Sequence, residues 1–444
     1  MPLTIPTVND LTQIGNSAWA DRWGILIVSV AIVSLFVSGE VLRRRTGVAT
    51  EYTRKLSHVG SGVVVITFPW LFESRWTVAL LAFSFFIILL LGKVSGLLAS
   101  VHDVERRTGG AFYYPFAVLG TFWLSNGDPL LYCTPLAVMA LADTGAAIVG
   151  KRHGSHKYNV FDGTRSLEGS LTFFGLTFAV VLTGMALANA FSETLPLFGS
   201  GAAAWPAMLL VTLVAAILCT AVEAISVRGT DNLFITYTCF LVLDRTMRLG
   251  LTDMGGWIQG MLLSLVLVVA TWRVGGLTVA GSLTVFIVGT FVWSLGGWSW
   301  VVPLLALYLV YLATAPNDGT TRLDLDEVFP TTVGALIIVL AFGHSEQDLL
   351  YLPFLATLGA NGAIALTRLA QAKNWPIVPL SITGAVAPVM PVLIYAPDTP
   401  MLLIMLSSLV GLVVFVLLAR TQFAGRRLIA SFAAGALTWV SVML

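Results

Sequence analysis

The sequence predicts an all-α fold, a polytopic helical membrane protein of about 14–16 transmembrane helices in two modules. Three observations carry this expectation. Of the 444 residues 57% are hydrophobic and only 11% are charged, whereas about a quarter of a soluble domain is charged. Apolar runs of membrane-spanning length repeat from Trp23 to the C-terminus. Those runs are continuous, not the short alternating segments of a β-barrel. A net charge of +1 gives no reason to expect a nucleic-acid partner. The three cysteines, Cys133, Cys219 and Cys239, lie in apolar segments without CxxC spacing, so neither a disulfide framework nor a zinc site is indicated. Residues 1–22 lack the basic leader of a signal peptide and the Arg/Ser-rich character of a transit peptide, which leans towards a prokaryotic inner membrane.

Spans are expected near 23–41, 58–72, 77–92, 112–125, 129–150, 169–190, 207–226 and 233–249 in a first module of residues 1–250. A second module, 275–444, carries spans near 277–294, 299–314, 329–343, 349–369, 377–396, 401–419 and 427–444, with another at 257–272 across the seam. Basic residues in the first module alternate between loops. One set holds Arg43, Arg44, Arg45, Arg54 and Lys55, then Lys93, Arg106 and Arg107, then Lys151, Arg152, Lys157 and Arg165, then Arg228. The intervening loops hold Arg75 and nothing basic in 126–128 or 191–206. By the positive-inside rule the basic set faces the cytoplasm and the N-terminus lies outside.

The polar motifs all fall on that cytoplasmic side. Asp143 interrupts an apolar run seven residues before Gly150, about 10 Å up a helix. An acid at membrane depth binds or moves something by default, and here the readings are a Mg²⁺ ligand or a catalytic carboxylate. The bland alternative is an acid paired with a neighbouring base to hold two helices together. Gly145-x-x-x-x-Gly150-Lys151-Arg152 imitates a P-loop, but its middle is membrane helix and Arg152 stands where the hydroxyl belongs; its glycines fit close helix packing. The loop of Lys151, Arg152, His153, His156 and Lys157 is basic. It leads into Gly163-Thr164-Arg165-Ser166-Leu167-Glu168-Gly169-Ser170, which offers a cation, hydroxyls and backbone N–H groups at a helix start, an anion-binding arrangement. Glu168, in the first turn, caps the helix or reaches a metal.

Arg54-Lys55-x-x-His58 opens the second span. The cations suit phosphates, and His58 suits a proton acceptor for an alcohol. Glu223 ends a later span and Asp231-Asn232 follow; two acids and an amide at one face complete a metal–phosphate site. Phe112-Tyr113-Tyr114-Pro115 reads either as an interfacial aromatic belt or as the access route of a lipid-like alcohol.

Taken in order, Arg54-Lys55-x-x-His58, the Gly-x-Phe-Tyr-Tyr-Pro run at 110–115, Ala142-Asp143 leading to Gly150-Lys151, Ser166-Leu167-Glu168-Gly169-Ser170, and Glu223 with Asp231-Asn232 resemble the polyprenol kinase family. That family includes phytol, farnesol and CTP-using dolichol kinases. The resemblance covers residues 40–245, with one departure: Arg165 replaces the lysine that usually precedes the Ser/Thr-Leu-Glu-Gly-Ser segment. Residues 275–300 look like the start of the phytyl-phosphate kinase family, although that family's acidic intramembrane stretch is missing. The second half is therefore read as a scaffold in preference to a second kinase.

The resemblance implies transfer of a phosphoryl group from a nucleoside triphosphate, CTP by analogy, to an isoprenoid alcohol such as phytol, geranylgeraniol, farnesol or a polyprenol. Asp143, His58 and Glu223 are the expected catalytic residues. Arg54, Lys55, Lys151, Arg165, Ser166, Glu168, Gly169, Ser170 and Asn232 are expected to hold the nucleotide, and Asp143 with Asp231 to hold Mg²⁺. The partners are the alcohol, the nucleotide and the lipid bilayer, and the sequence leaves the oligomeric state open. Two other classes fit the same residues. A membrane cytidylyltransferase would make a CDP-lipid, and a transporter would carry an anionic lipid with its polar groups at midplane.

Overall fold

A computed structural model describes residues 19–46, 50–95, 110–160, 163–191, 204–226, 229–273, 278–314, 334–343, 347–418 and 426–443. The chain is an all-α polytopic membrane protein. Nine helices among the described residues are long and apolar enough to cross a membrane, and four shorter apolar helices accompany them. Two compact units emerge, residues 1–158 with 162–251, and residues 159–161 with 252–444.

The first unit runs α1 (Arg22–Thr46), α2 (Thr50–Ile66), α3 (Arg75–Ser95), α4 (Gly110–Ser125), α5 (Pro129–Ala137), α6 (Asp143–His153), α7 (Leu167–Phe191), α8 (Trp205–Ile225) and α9 (Asp231–Leu249). Helix starts and stops follow local chemistry. Asp128 caps α5 by accepting from Leu131 N–H at 3.1 Å, with Pro129 as the first helical residue. Ser166 caps α7 by accepting from Gly169 N–H at 3.2 Å. Gly250, at φ 74°, ends α9. One end of the unit is filled by apolar side chains that include Val28, Val65, Phe68, Phe72, Val78, Phe122, Tyr132 and Leu136. Tyr132 Oη donates to Val65 O at 3.0 Å and ties α5 to α2 inside that core.

Two local features differ from the expected uninterrupted helices. The span expected over 129–150 is broken by a π turn, Val138–Ala142, between α5 and α6. A π turn adds a residue to one helical turn and re-aims everything after it. Residue 62 on α2 must be glycine for the turn to fit, since a Cβ there would lie 2.5 Å from Ala140 Cβ. The loop before α7 folds into a two-stranded hairpin, β1 (Lys157–Val160) with β2 (Gly163–Ser166). Gly163, at φ 124°, takes a backbone conformation that other residues resist.

Glycines also bring α6 against α7. A Cβ on Gly150 would lie 3.0 Å from Ser166 Oγ and 3.4 Å from Gly169 Cα, and one on Gly169 would meet Ala146 O at 3.2 Å. The Gly145-to-Gly150 segment is therefore a helix-packing surface, as its small residues suggest.

The second unit comprises α10 (Thr252–Arg273), α11 (Val279–Gly296), α12 (Trp298–Thr314), α13 (Gly334–Gly343), α14 (Tyr351–Lys373), α15 (Ile377–Val386), α16 (Met401–Leu418) and α17 (Arg426–Met443). Its organising element is α14, which packs on α12, α15, α16 and α17. The approach of α15 is close enough that a Cβ on Gly362 would strike the carbonyl of Gly384. Asn361 Nδ2 donates to Thr357 O and to Ser431 Oγ at 3.0 Å, and the Arg368 guanidinium lies over the Phe415 ring at 5.4 Å. The other polar positions of this half, Asp318, Arg322, Asp324, Asp326 and Glu327, lie outside the described residues.

One substitution separates packing from propensity. Gly62→Ala should cost about 1–3 kcal/mol by overpacking and lower the melting temperature of the detergent-solubilised protein. Gly175→Ala on α7, with nothing within 4 Å of the new methyl, should raise it, because glycine in an open helix costs about 0.5–1 kcal/mol relative to alanine.

Candidate active site

Five elements of the first unit bring charged side chains to one place. Lys55, in the second turn of α2, donates from Nζ to Asp143 Oδ2 at 2.6 Å. Both side chains are buried, at 8% exposure each, so neither charge is screened by solvent and each depends on the other. Asp143 reaches Lys55 because it is the residue that follows the π turn. His58, one turn beyond Lys55, places Nε2 3.9 Å from the same carboxylate oxygen and 3.3 Å from Met139 O. That carbonyl belongs to the π turn. The ring of Tyr114, from α4, stands edge-on to His58 at 5.7 Å between centroids.

A second pair lies beside the first. Arg165 on β2 sets NH1 2.8 Å from Glu223 Oε1 at the end of α8, and its NH2 donates to Ser226 O at 3.1 Å. Glu223 is buried at 3% exposure. Burial weakens the charged form of Arg165, but Glu223 and then Asp231 more than compensate and hold its pKa above the ordinary arginine value. Asp231, opening α9, lies within electrostatic range of Asp143, Arg165 and Lys55. The two pairs and Asp231 therefore form one electrostatic cluster, fed by α2, α6, β2, α8 and α9.

The other expected residues sort themselves by contact. Asn232 Nδ2 donates to Gly110 O at 2.9 Å, so the amide joins α9 to the start of α4 and positions its neighbour Asp231. Ser166 and Gly169 are the cap and the packing surface of α7 described above. Glu168 accepts from Ser155 Oγ and from the backbone N–H of His156, and pairs with His156 Nδ1 at 2.7 Å. It therefore closes the loop around the hairpin and is not aimed at the cluster. Ser170 Oγ lies 2.7 Å from Tyr158 Oη. Lys151 is exposed on α6, about 12 Å along the axis from Asp143. Arg54 is half-buried beside Lys55. Among the described residues no group of three His, Cys, Asp or Glu side chains is arranged to hold a metal ion.

Sequence reasoning did not single out the π turn, the Met139 and Ser226 carbonyls, or the packing of Tyr114 on His58. The carbonyls have no side-chain signature. Tyr114 had one, as part of the aromatic run at 112–115, but its partner was invisible.

No family model matches this sequence, and no solved structure matches it. The chain is 30% identical over 203 residues to the phytol kinase of Synechocystis sp., a match spanning 45% of this chain and 81% of that protein. An all-α membrane protein with buried cation–carboxylate pairs at one end of its first unit is thus tied to a family of membrane kinases. The chain belongs to the phytol kinase family.

The buried pairs make a direct prediction about stability. Arg165→Met, which strands Glu223, should destabilise the protein by about 3–5 kcal/mol, and Arg165→Met with Glu223→Leu should recover most of that loss. Thermal unfolding of the single and double variants in one detergent measures the difference.

Proposed function

We propose that this protein phosphorylates an isoprenoid alcohol with a nucleoside triphosphate, CTP being the expected donor, at the end of the first unit that the basic loops assign to the cytoplasmic face. The observation that carries the reading is the buried cluster of Lys55, Asp143, Arg165, Glu223 and Asp231 in a chain related to a phytol kinase. Its chemistry suits a phosphoanhydride. Two cations are held by carboxylates from which anionic oxygens can take them, and Thr144, buried beside Asp143, has a hydroxyl without a hydrogen-bond partner among the described residues.

In this reading Lys55 and Arg165 bind phosphate oxygens, with Arg54 and Lys151 adding positive charge at the approach. Ser166, Gly169 and Ser170 fix the α7 start near the nucleotide, while Glu168 and Asn232 hold the surrounding backbone. Asp143 and Asp231 fit a Mg²⁺–nucleotide complex, because such a site needs only one or two carboxylates alongside phosphate oxygens. When bound, that ion supplies neutralisation of charge on the transferring group. The alcohol oxygen forms the new bond to the γ-phosphorus, the bond from that phosphorus to the bridging oxygen breaks, and the nucleoside diphosphate leaves. His58, with Glu223 as the other acid–base group, takes the hydroxyl proton. The isoprenoid tail stays in lipid while its hydroxyl meets the cluster. The second unit is proposed as a scaffold related to phytyl-phosphate kinases, since its polar residues Asn361 and Arg368 are engaged in helix packing.

The test is direct. Purified protein with Mg²⁺ is offered CTP, ATP, GTP and UTP separately with phytol, geranylgeraniol or a longer polyprenol, and products are read by mass spectrometry. A monophosphate formed with CTP is expected. A diphosphate would instead make the second unit catalytic, and a CDP-lipid would make the enzyme a cytidylyltransferase. Asp143→Asn should lower turnover by about 10²-fold or more, the scale set by loss of one charge-stabilising group, in a protein that still purifies as a folded species.

A further inference from the structure

Resting on that reading, we infer that the two buried ion pairs are a self-neutralised resting state, and that metal and nucleotide bind by exchanging partners with them. The ammonium of Lys55 occupies the face of the Asp143 carboxylate that a divalent cation would take. The Asp143 carboxylate in turn occupies the position on Lys55 that a phosphate oxygen would take. Arg165 and Glu223 stand in the same relation. The charges of the two pairs cancel, and Lys55, Asp143 and Glu223 are each at most 8% exposed.

A cation arriving alone on Asp143 would strand the buried ammonium of Lys55. A nucleotide arriving alone on Lys55 and Arg165 would strand Asp143 and Glu223. Stranding a buried charge is strongly unfavourable. When both ligands arrive, each displaced group finds a new partner of opposite charge, so binding of either tightens the other, and by linkage the effect is reciprocal. The device has a sign that a simple phosphate-binding lysine does not share. Removing the charge of Lys55 should improve binding of the metal alone.

The experiment uses the full-length protein in detergent and Mn²⁺ as an electron paramagnetic resonance probe. Mn²⁺ alone should bind the wild type weakly, Lys55→Met about tenfold more tightly, within the usual range of such couplings, and Lys55→Arg like the wild type. In a second arm, with metal chelated, Glu223→Gln should bind CTP severalfold more tightly than the wild type, because Arg165 is released; this arm decides the matter if Lys55→Met does not fold. Wild-type protein that binds Mn²⁺ with CTP, paired with a Lys55→Met variant that holds Mn²⁺ alone no more tightly, would overturn the exchange and leave the kinase reading standing. Unchanged CTP affinity in Glu223→Gln would do the same. Folded wild-type protein that binds neither Mn²⁺ nor CTP, singly or together, would overturn both.

Discussion

The contact between Lys55 and Asp143 is the constraint on which the first unit depends. A carboxylate and an ammonium have been taken out of solvent together, and each makes the other tolerable. Once that pair is fixed, α2 and α6 are locked in register, since the two residues lie 88 apart in sequence. His58 then falls against the same carboxylate, and the Met139 carbonyl receives its ring nitrogen. Arg165 and Glu223 repeat the arrangement between β2 and α8. Polar chemistry thus crosslinks helices whose outer surfaces are apolar, and it does so at the end opposite the packed core of Val28, Phe72 and Phe122.

A buried ion pair is weak support for stability, because well-packed apolar residues usually do the same job at least as well. Two such pairs side by side, with Asp231 in range of both, are therefore more economically understood as chemistry than as architecture. The architecture is supplied by other means. Glycines at 62, 150 and 169 let backbones approach within side-chain distance, and Asn232 ties α9 to α4 through a backbone carbonyl. Asp128 and Ser166 satisfy helix ends. Each of these contacts places an element that carries a member of the cluster, or its neighbour, without itself carrying charge.

Much of this was legible in the sequence. The helical class followed from composition and apolar run length, and the span near 401–419 is realised as Met401–Leu418. Asp143 stood out because an acid in an apolar run has no bland neighbour to explain it. Its pairing with a base was also among the readings, and the structure shows that the bland and the functional readings of Asp143 describe the same contact. Glu168 and Ser170 were harder, because residues that cap a helix and residues that bind an anion at its start share a composition. The repeated Gly-Ser-Leu-Thr at 169–172 and 281–284 has a similarly local explanation. In each copy a hydroxyl residue three positions earlier, Ser166 or Thr278, caps the glycine N–H. The π turn could not be read at all, since Val138-Met-Ala-Leu-Ala142 is ordinary helix-forming sequence and the extra residue is tolerated only through tertiary contacts.

That turn bears on how relatives of this chain should be aligned. Removing one residue from 138–142 would restore a regular helix and rotate everything after it by about 100°. The carboxylate that follows would then face away from α2 although every motif letter survived. A one-residue gap just before the Ala-Asp-Thr-Gly segment is thus a more telling mark of a lost activity than a substitution within it, and conventional motif matching, which tolerates such gaps, would pass over it.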